Sequence, residues 1–95
     1  MINITFNAFS SLREHLKKQN IPYVNHIMEV PYDYTPKALI KDLGYKDGEV
    51  EFVFINWKVL TKDTILKDGD RVALVPPGTP GSYRLILGAK QLEGN

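Results

Sequence analysis

The sequence predicts an α+β domain in which a mixed sheet of four to five strands packs on one main helix. Several short runs alternate apolar and polar residues, which is the period of a half-buried strand. A helix-start signal, Thr35-Pro36, lies between two pairs of these runs. An Asp-Gly turn precedes the apolar run 72–75, which is short enough to be a central strand buried on both faces. The predicted order is strand, strand, helix, strand, strand, with an extra short helix early in the chain.

The first two strands are expected to form an antiparallel pair. Residues 2–6 alternate strictly, and residues 26–32 alternate again. Proline lacks the amide donor that a central strand needs, and Pro22 and Pro31 flank the second run. The second strand is therefore predicted to lie at an edge of the sheet.

A short helix is expected between these strands. Ser10 or Ser11 can cap its N-terminus, and its buried face uses Leu12 and Leu16. Asn20 is expected to end it. The main helix follows the second strand, with Thr35 as N-cap and Pro36 at the first helical position.

The main helix buries Leu39 and Leu43, and Gly44 is a natural residue to follow its last turn. The third strand is predicted over residues 49–55. Its apolar side chains should divide between the two faces, with Val50, Phe52 and Phe54 on one side and Val53 and Ile55 on the other.

The rest of the chain returns to the sheet and then leaves it. Residues 56–58 are predicted to form a turn, and residues 59–60 are predicted to begin a short return strand. A connector over residues 61–67 follows, and its Ile65 and Leu66 are expected to fill the bottom of the core. After the strand at 72–75, Pro76 and Pro77 should stop sheet pairing. A first domain, 1–81, is thus separated from an extension, 82–95, with a candidate strand at 82–87 and a free tail at 89–95.

Composition excludes several classes of function. The net charge of +1 gives no bulk attraction to nucleic acid or to an acidic membrane. The absence of cysteine excludes disulfides, thiolate metal sites and a catalytic thiol. His15 and His26 show no metal-ligand spacing, so no metal or cofactor is expected. No side chain that could act as a nucleophile has a candidate general base in the sequence pattern, so no catalytic residue is expected. The chain is therefore not expected to be an enzyme. No apolar run approaches the ~20 residues of a membrane span and no signal peptide is evident, so a cytoplasmic protein is expected.

Four motifs resemble those of the ubiquitin-like sulfur carriers and follow one another in the same order as in that family. The family includes the molybdopterin synthase small subunit and the thiamine-pathway sulfur carrier protein. The motifs are F-x-x-L-R-E at 9–14, V-x-x-x-x-T-x-x-x-L-x-x-x-L-G at 30–44, V-x-x-N-G-K at 53–58, with Trp57 in place of glycine, and D-G-D-x-V-A-x-x-P-P at 68–77. The resemblance implies a β-grasp (ubiquitin-like) fold. It also implies a mechanism in which an adenylating, E1-like enzyme activates the carboxylate of a terminal glycine. That carboxylate becomes a thiocarboxylate, and a synthase large subunit receives it.

The chain departs from this pattern at the candidate arm, which consists of Pro76, Pro77, Gly78, Thr79, Pro80 and Gly81. Gly81 stands at the position of the terminal glycine, but fourteen residues follow it. A protease could expose the Gly81 carboxylate, or removal of Asn95 could expose Gly94 at the end of the tail. The alternative is that the fold is kept as a protein–protein interaction module, accessory to a molybdenum or tungsten cofactor enzyme, and that carrier chemistry is lost.

Two aromatic residues are candidate interface positions. Trp57 lies in a predicted turn, and aromatic side chains dominate binding hot spots, although the ring can also fold back onto the core. Tyr83 lies in the candidate strand of the extension.

Overall fold

The computed structural model describes residues 1–78, which form five strands and two helices. In chain order these are β1 Ile2–Ala8, α1 Leu12–Lys18, β2 His26–Val30, α2 Pro36–Asp42, β3 Phe52–Ile55, β4 Lys58–Leu60 and β5 Arg71–Val75. Both helices are short, at seven residues each, and α1 is the early short helix that the sequence predicted. The predicted strand at 82–87, the tail at 89–95 and the domain boundary after residue 81 lie outside the described residues.

The strands form one mixed sheet in the order β2-β1-β5-β3-β4. β5 runs parallel to β1, and the other neighbouring pairs are antiparallel. The α+β prediction is confirmed, as is the edge position of the second strand. β5 is the central strand of the sheet, which explains why its sequence is apolar on both faces.

The main core lies between the two helices and one face of the sheet. The helices contribute Leu12, Leu16 and Leu39, all with at most 3% of their surface exposed. The strands contribute alternate residues, among them Phe6 and Leu74, which are fully buried. A separate buried cluster lies on the other face of the sheet. It consists of Phe54, Ala73 and Val75, with Phe9 and Phe52 packed against it.

Two core assignments from the sequence are wrong. Val50 packs in the main core and not beside Phe52 and Phe54, because the strand begins only at Phe52 and its period-2 alternation does not extend back to residue 50. Ile65 is 56% exposed, whereas Leu66 is buried as expected. The Leu66 amide donates to the Tyr34 carbonyl oxygen at 2.8 Å, which holds residue 66 against the core and leaves its neighbour outside.

The two helix starts differ in how they are capped. Ser11 occupies the N-cap position of α1, but its hydroxyl makes no capping hydrogen bond, contrary to the sequence prediction. At α2, the Thr35 hydroxyl oxygen accepts from the Ala38 amide at 3.2 Å, as the Thr-Pro signal predicted. Asn20 and Gly44 follow the two helices with positive φ, which confirms both predicted helix ends.

Tyr45 connects the two helices and makes the stability of the fold depend on pH in the alkaline range. Its hydroxyl donates to the Leu12 carbonyl oxygen at 2.6 Å, and burial together with the Glu49 carboxylate raises the pKa of Tyr45 to about 12. An unfolded tyrosine loses its proton near pH 10, whereas the folded chain retains it, so this stabilisation is complete below pH 10 and is lost between about pH 10 and 12. We expect Tyr45→Phe to lose about 1 kcal/mol at neutral pH and to show a shallower decline of stability above pH 10. Urea unfolding at a series of pH values measures the stability loss and its pH dependence. If the stability of Tyr45→Phe declined above pH 10 as steeply as that of the unaltered chain, the role given to Tyr45 would be contradicted.

Candidate functional site

The candidate site is the end of β5 and the residues that follow it. β5 lies between β1 and β3, with Val72 and Leu74 in the main core and Ala73 and Val75 in the cluster on the opposite face. All four side chains are at most 1% exposed. The last strand is therefore rigidly held, and it determines where the following residues leave the sheet.

The start of β5 is anchored by a polar network. Asn56 accepts from the Arg71 amide at 3.0 Å and donates through its side-chain amide to the Asp70 carboxylate at 2.8 Å. The second carboxylate oxygen of Asp70 accepts from the Lys67 amide at 2.8 Å. The Asp-Gly turn before β5 is therefore structural, as expected.

The other end of β5 is held from both sides. The Leu74 carbonyl oxygen accepts from the Phe9 amide at 3.1 Å, and the Val75 carbonyl oxygen accepts from the Glu51 amide at 2.8 Å. Pro76 has no amide hydrogen to continue the ladder. The sheet ends at Val75, which confirms the predicted stop.

The first half of the candidate arm is a buried residue followed by a turn. Pro76 is buried, whereas Pro77 and Gly78 are exposed and form a turn. Gly78 has a φ of +76°, which is the conformation of the third residue in a type II turn and is favourable for glycine. The chain therefore changes direction three residues after β5. The other proposed arm residues, Thr79, Pro80 and Gly81, and the candidate Gly94 lie outside the described residues.

The Trp57 side chain is half-buried, and the guanidinium group of Arg71 lies over its ring. The Arg71 guanidinium carbon lies 3.8 Å from the centre of the indole ring, and burial lowers the pKa of Arg71 below its usual range. Asn56 and Trp57 both have positive φ, as in a type I′ turn, where the second position favours glycine. The cation–π contact offsets part of the strain of a bulky residue in that position. No local sequence pattern indicates this contact, because Arg71 is fourteen positions away.

The structure separates Trp57 from the candidate arm. Asn56 and Trp57 lie beside the start of β5, whereas Pro76 follows its end, so the length of a five-residue strand, roughly 16 Å, lies between them. An interface role for Trp57 stays a prediction. Tyr83, the other interface candidate, lies outside the described residues.

His15 has a structural environment. Its Nε2 donates to the Leu43 carbonyl oxygen at 2.7 Å, and its ring packs on Tyr45 with centroids 4.6 Å apart. Within residues 1–78, no three His, Asp or Glu side chains are grouped so as to hold a metal ion. In the same part of the chain, no helix is long and apolar enough to cross a membrane.

A basic concavity of about 330 Å³ lies beside α2. Four lysines and two aspartates line it: Lys37, Lys41, Lys46, Lys62, Asp47 and Asp63. Lys62 is held by donation to the Val50 carbonyl oxygen at 2.6 Å. The sequence could not show this concavity, because the lysines come from three separate segments.

Comparisons with known proteins agree with this geometry. The model of the ThiS family matches residues 9–81, which is most of the chain. A putative molybdopterin converting factor, subunit 1, from Pyrococcus furiosus has a similar structure, with a TM-score of 0.60 and 22% identity over 81% of this chain and 99% of that one. Small archaeal modifier protein 1 from Haloferax volcanii is also similar, with a TM-score of 0.59 and 17% identity over 81% of this chain and 99% of that one.

No curated protein matches the chain. The two solved structures support the β-grasp fold, and the family match supports the resemblance seen in the motifs. Together, the match over residues 9–81 and the five-stranded sheet with its central β5 show that the chain belongs to the ThiS family of ubiquitin-like sulfur carriers.

Proposed function

We propose that the chain is a protein cosubstrate of the sulfur-carrier or modifier type and not itself an enzyme. The observation that carries this proposal is the extent of the family match, which ends at Gly81. Gly81 is the position at which the motifs align the activated glycine of the family. Fourteen residues follow it, so the proposal requires that Gly81 becomes a chain end.

The geometry of β5 supports a carrier role. The hydrogen bonds from Phe9 and Glu51 fix the last two carbonyl groups of the strand. The next residues leave the sheet at a defined point, with two prolines that restrict the backbone. A rigid domain with a stiff exit favours delivery of a chain end into the active site of another protein, because less conformational freedom is lost on docking.

The proposed chemistry takes place at the chain end. A protease hydrolyses the bond between Gly81 and Ser82, and the Gly81 carboxylate attacks the α-phosphorus of ATP on an adenylating, E1-like enzyme. Pyrophosphate leaves and an acyl adenylate forms. Hydrosulfide then attacks the acyl carbon, AMP leaves, and the resulting thiocarboxylate is used by a synthase large subunit in molybdopterin or thiamine biosynthesis. The similar Pyrococcus furiosus protein is named as one subunit of a converting factor, which supports a partner subunit of this kind.

We predict that a chain ending at Gly81 is adenylated by the activating enzyme of its own cell, whereas the chain ending at Asn95 is not. The reason is that the activating enzyme is expected to accept a glycine carboxylate at the end of the arm, and an internal Gly81 has none. ATP-dependent pyrophosphate release and the mass of the AMP adduct measure the reaction, and a chain ending at Pro80 is the matched control. Equal pyrophosphate release from the Gly81 and Pro80 chains would contradict the assignment of Gly81.

Intact mass of the protein from its native cell, without a C-terminal tag, identifies the mature end. A mass ending at Gly81, with sulfur in place of one oxygen, is the expected result. A mass ending at Gly94 would move the carboxylate to the end of the tail. A mass ending at Asn95 that does not change with ATP and the cell's activating enzymes would exclude the carrier proposal.

The second candidate is a β-grasp interaction module, accessory to a molybdenum or tungsten cofactor enzyme. Two observations favour it: Gly81 is internal in the sequence, and the chain turns at Gly78 instead of extending straight from the sheet. If the chain is such a module, we expect the protein from its native cell to have the full-length mass and to form a stable complex with an enzyme subunit. Co-purification of the untagged full-length chain with such a subunit would separate it from the carrier.

A further inference from the structure

The basic concavity beside α2 has walls that hydrogen bonds hold in place. The Lys37 amide donates to the Lys62 carbonyl oxygen at 2.9 Å, which joins α2 to the connector before β5. The Lys62 ammonium group donates to the Val50 carbonyl oxygen at 2.6 Å, which joins the connector to the residues before β3. The Lys46 amide donates to the Glu49 carboxylate at 2.5 Å, and the Glu49 amide donates back to the Lys46 carbonyl oxygen at 3.1 Å. The walls therefore need little reorganisation when a ligand enters.

Positive charge is concentrated in this concavity. Its four lysines outnumber its two acidic residues, Asp47 and Asp63, although the whole chain has a net charge of only +1. Within residues 1–78, the ammonium groups of Lys37, Lys41 and Lys46 make no hydrogen bond or ion pair. These three cations are exposed and available to an anionic ligand.

The lining also includes apolar surface. Ile40, Tyr45 and Val50 contribute to it, and the Tyr45 hydroxyl is already bonded to the Leu12 carbonyl oxygen. The volume of about 330 Å³ is at the lower end of the range of roughly 300–1,000 Å³ that is typical of ligand sites. A ligand that fits this lining combines negative charge with apolar groups.

The spacing of the lysines on α2 matches that of an extended peptide. Lys37 and Lys41 lie four positions apart on one helix face, which is about 6 Å along the helix axis. Alternate side chains of an extended peptide point the same way and are about 6.6 Å apart. Two carboxylates separated by one residue can therefore each reach one of these lysines, whereas a single compact anion cannot be centred on both.

We propose that the basic concavity binds a short, extended acidic segment of a partner protein. Its alternate carboxylates pair with Lys37 and Lys41, and its apolar side chains contact the lining formed by Ile40, Tyr45 and Val50. The assignment of the segment to a partner protein rests on the proposed function, in which the chain acts together with other proteins. The binding site itself does not depend on Gly81 becoming a chain end.

Titration of the full-length chain with a labelled hexapeptide that alternates glutamate and leucine tests this proposal. Fluorescence anisotropy of the label measures the affinity, and changes in amide chemical shifts show where the peptide binds. The variant Lys37→Gln with Lys41→Gln removes the two cations of α2. The matched control, Lys17→Gln with Lys18→Gln, removes the same charge from exposed positions on α1.

We expect Lys37→Gln with Lys41→Gln to weaken peptide binding about fivefold to tenfold, and the control pair to change it by less than about twofold. Asp47→Asn with Asp63→Asn should strengthen binding by a similar factor, because it removes two carboxylates that repel the peptide. Loss of folding cannot produce that gain. The chemical-shift changes should be concentrated at the residues that line the concavity.

Absence of saturable binding, or equal weakening by both lysine pairs, would overturn the proposal. Equal affinity for a peptide with glutamine in place of glutamate would also overturn it. Displacement of the peptide by inorganic phosphate at constant ionic strength would overturn it in favour of a compact anion. The titration uses no ATP, activating enzyme or processed chain end, so its failure and the failure of the carrier proposal are distinguishable.

Discussion

Phe6→Ala is expected to destabilise the domain by about 3–5 kcal/mol. Phe6 is fully buried at the centre of β1, and its neighbours in the sheet are Val72 on β5 and His26 on β2. Truncation to alanine removes the ring and leaves a cavity that a sheet and two short helices cannot readily close. A domain of this size has a total stability of about 5–15 kcal/mol, so the variant should lose a large fraction of it.

The matched control is Thr5→Ala, one position earlier on the same strand. Thr5 is only half-buried and its side chain lies on the other face, so the loss should stay below about 1 kcal/mol. Urea unfolding followed by tyrosine and tryptophan fluorescence measures both variants. Similar midpoints for the two would show that the helix-side core is not the main source of stability.

Gly44→Ala is expected to cost about 2–3 kcal/mol for two separate reasons. Gly44 has a φ of +87°, which is strained for any residue with a Cβ. The new Cβ would also lie 3.2 Å from Nε2 of His15, the atom that donates to the Leu43 carbonyl oxygen. The substitution therefore strains the end of α2 and disturbs its contact with α1.

Gly48→Ala separates these two contributions. Gly48 has the same φ of +87°, but a Cβ there meets no atom within 4 Å. Its loss should reflect backbone strain alone, about 1–2 kcal/mol. The difference between the two alanine variants then measures the His15 contact, and it should vanish when both are made in a His15→Ala background. A difference that persists without His15 would contradict this explanation.

The position of β5 links stability to the proposed function. The same strand supplies Val72 and Leu74 to the main core and Ala73 and Val75 to the separate buried cluster on the other face of the sheet. Its start is hydrogen-bonded to Asn56, and its end accepts from the amide of residue 51. The residues that would carry the reactive chain end therefore follow a strand that is held on both sides and buried on both faces, which limits motion at the exit point.

Local patterns in the sequence are sufficient to predict the fold class and the family. Period-2 alternation identified the strands, and the Thr35-Pro36 signal with Gly44 bounded α2, because capping and turn preferences act over a few neighbouring residues. The four ordered motifs also indicated the family, which the match over residues 9–81 confirms. These features are local, and a single sequence is enough to find them.

Contacts between residues far apart in the chain became visible only in the folded domain. Val50 lies in the main core and Ile65 outside it, Trp57 stacks with Arg71, and Asn56 is hydrogen-bonded to Asp70. Periodicity could predict none of these, because each depends on the register and the order of the strands. Register and order are set by the packing of the whole sheet against its helices.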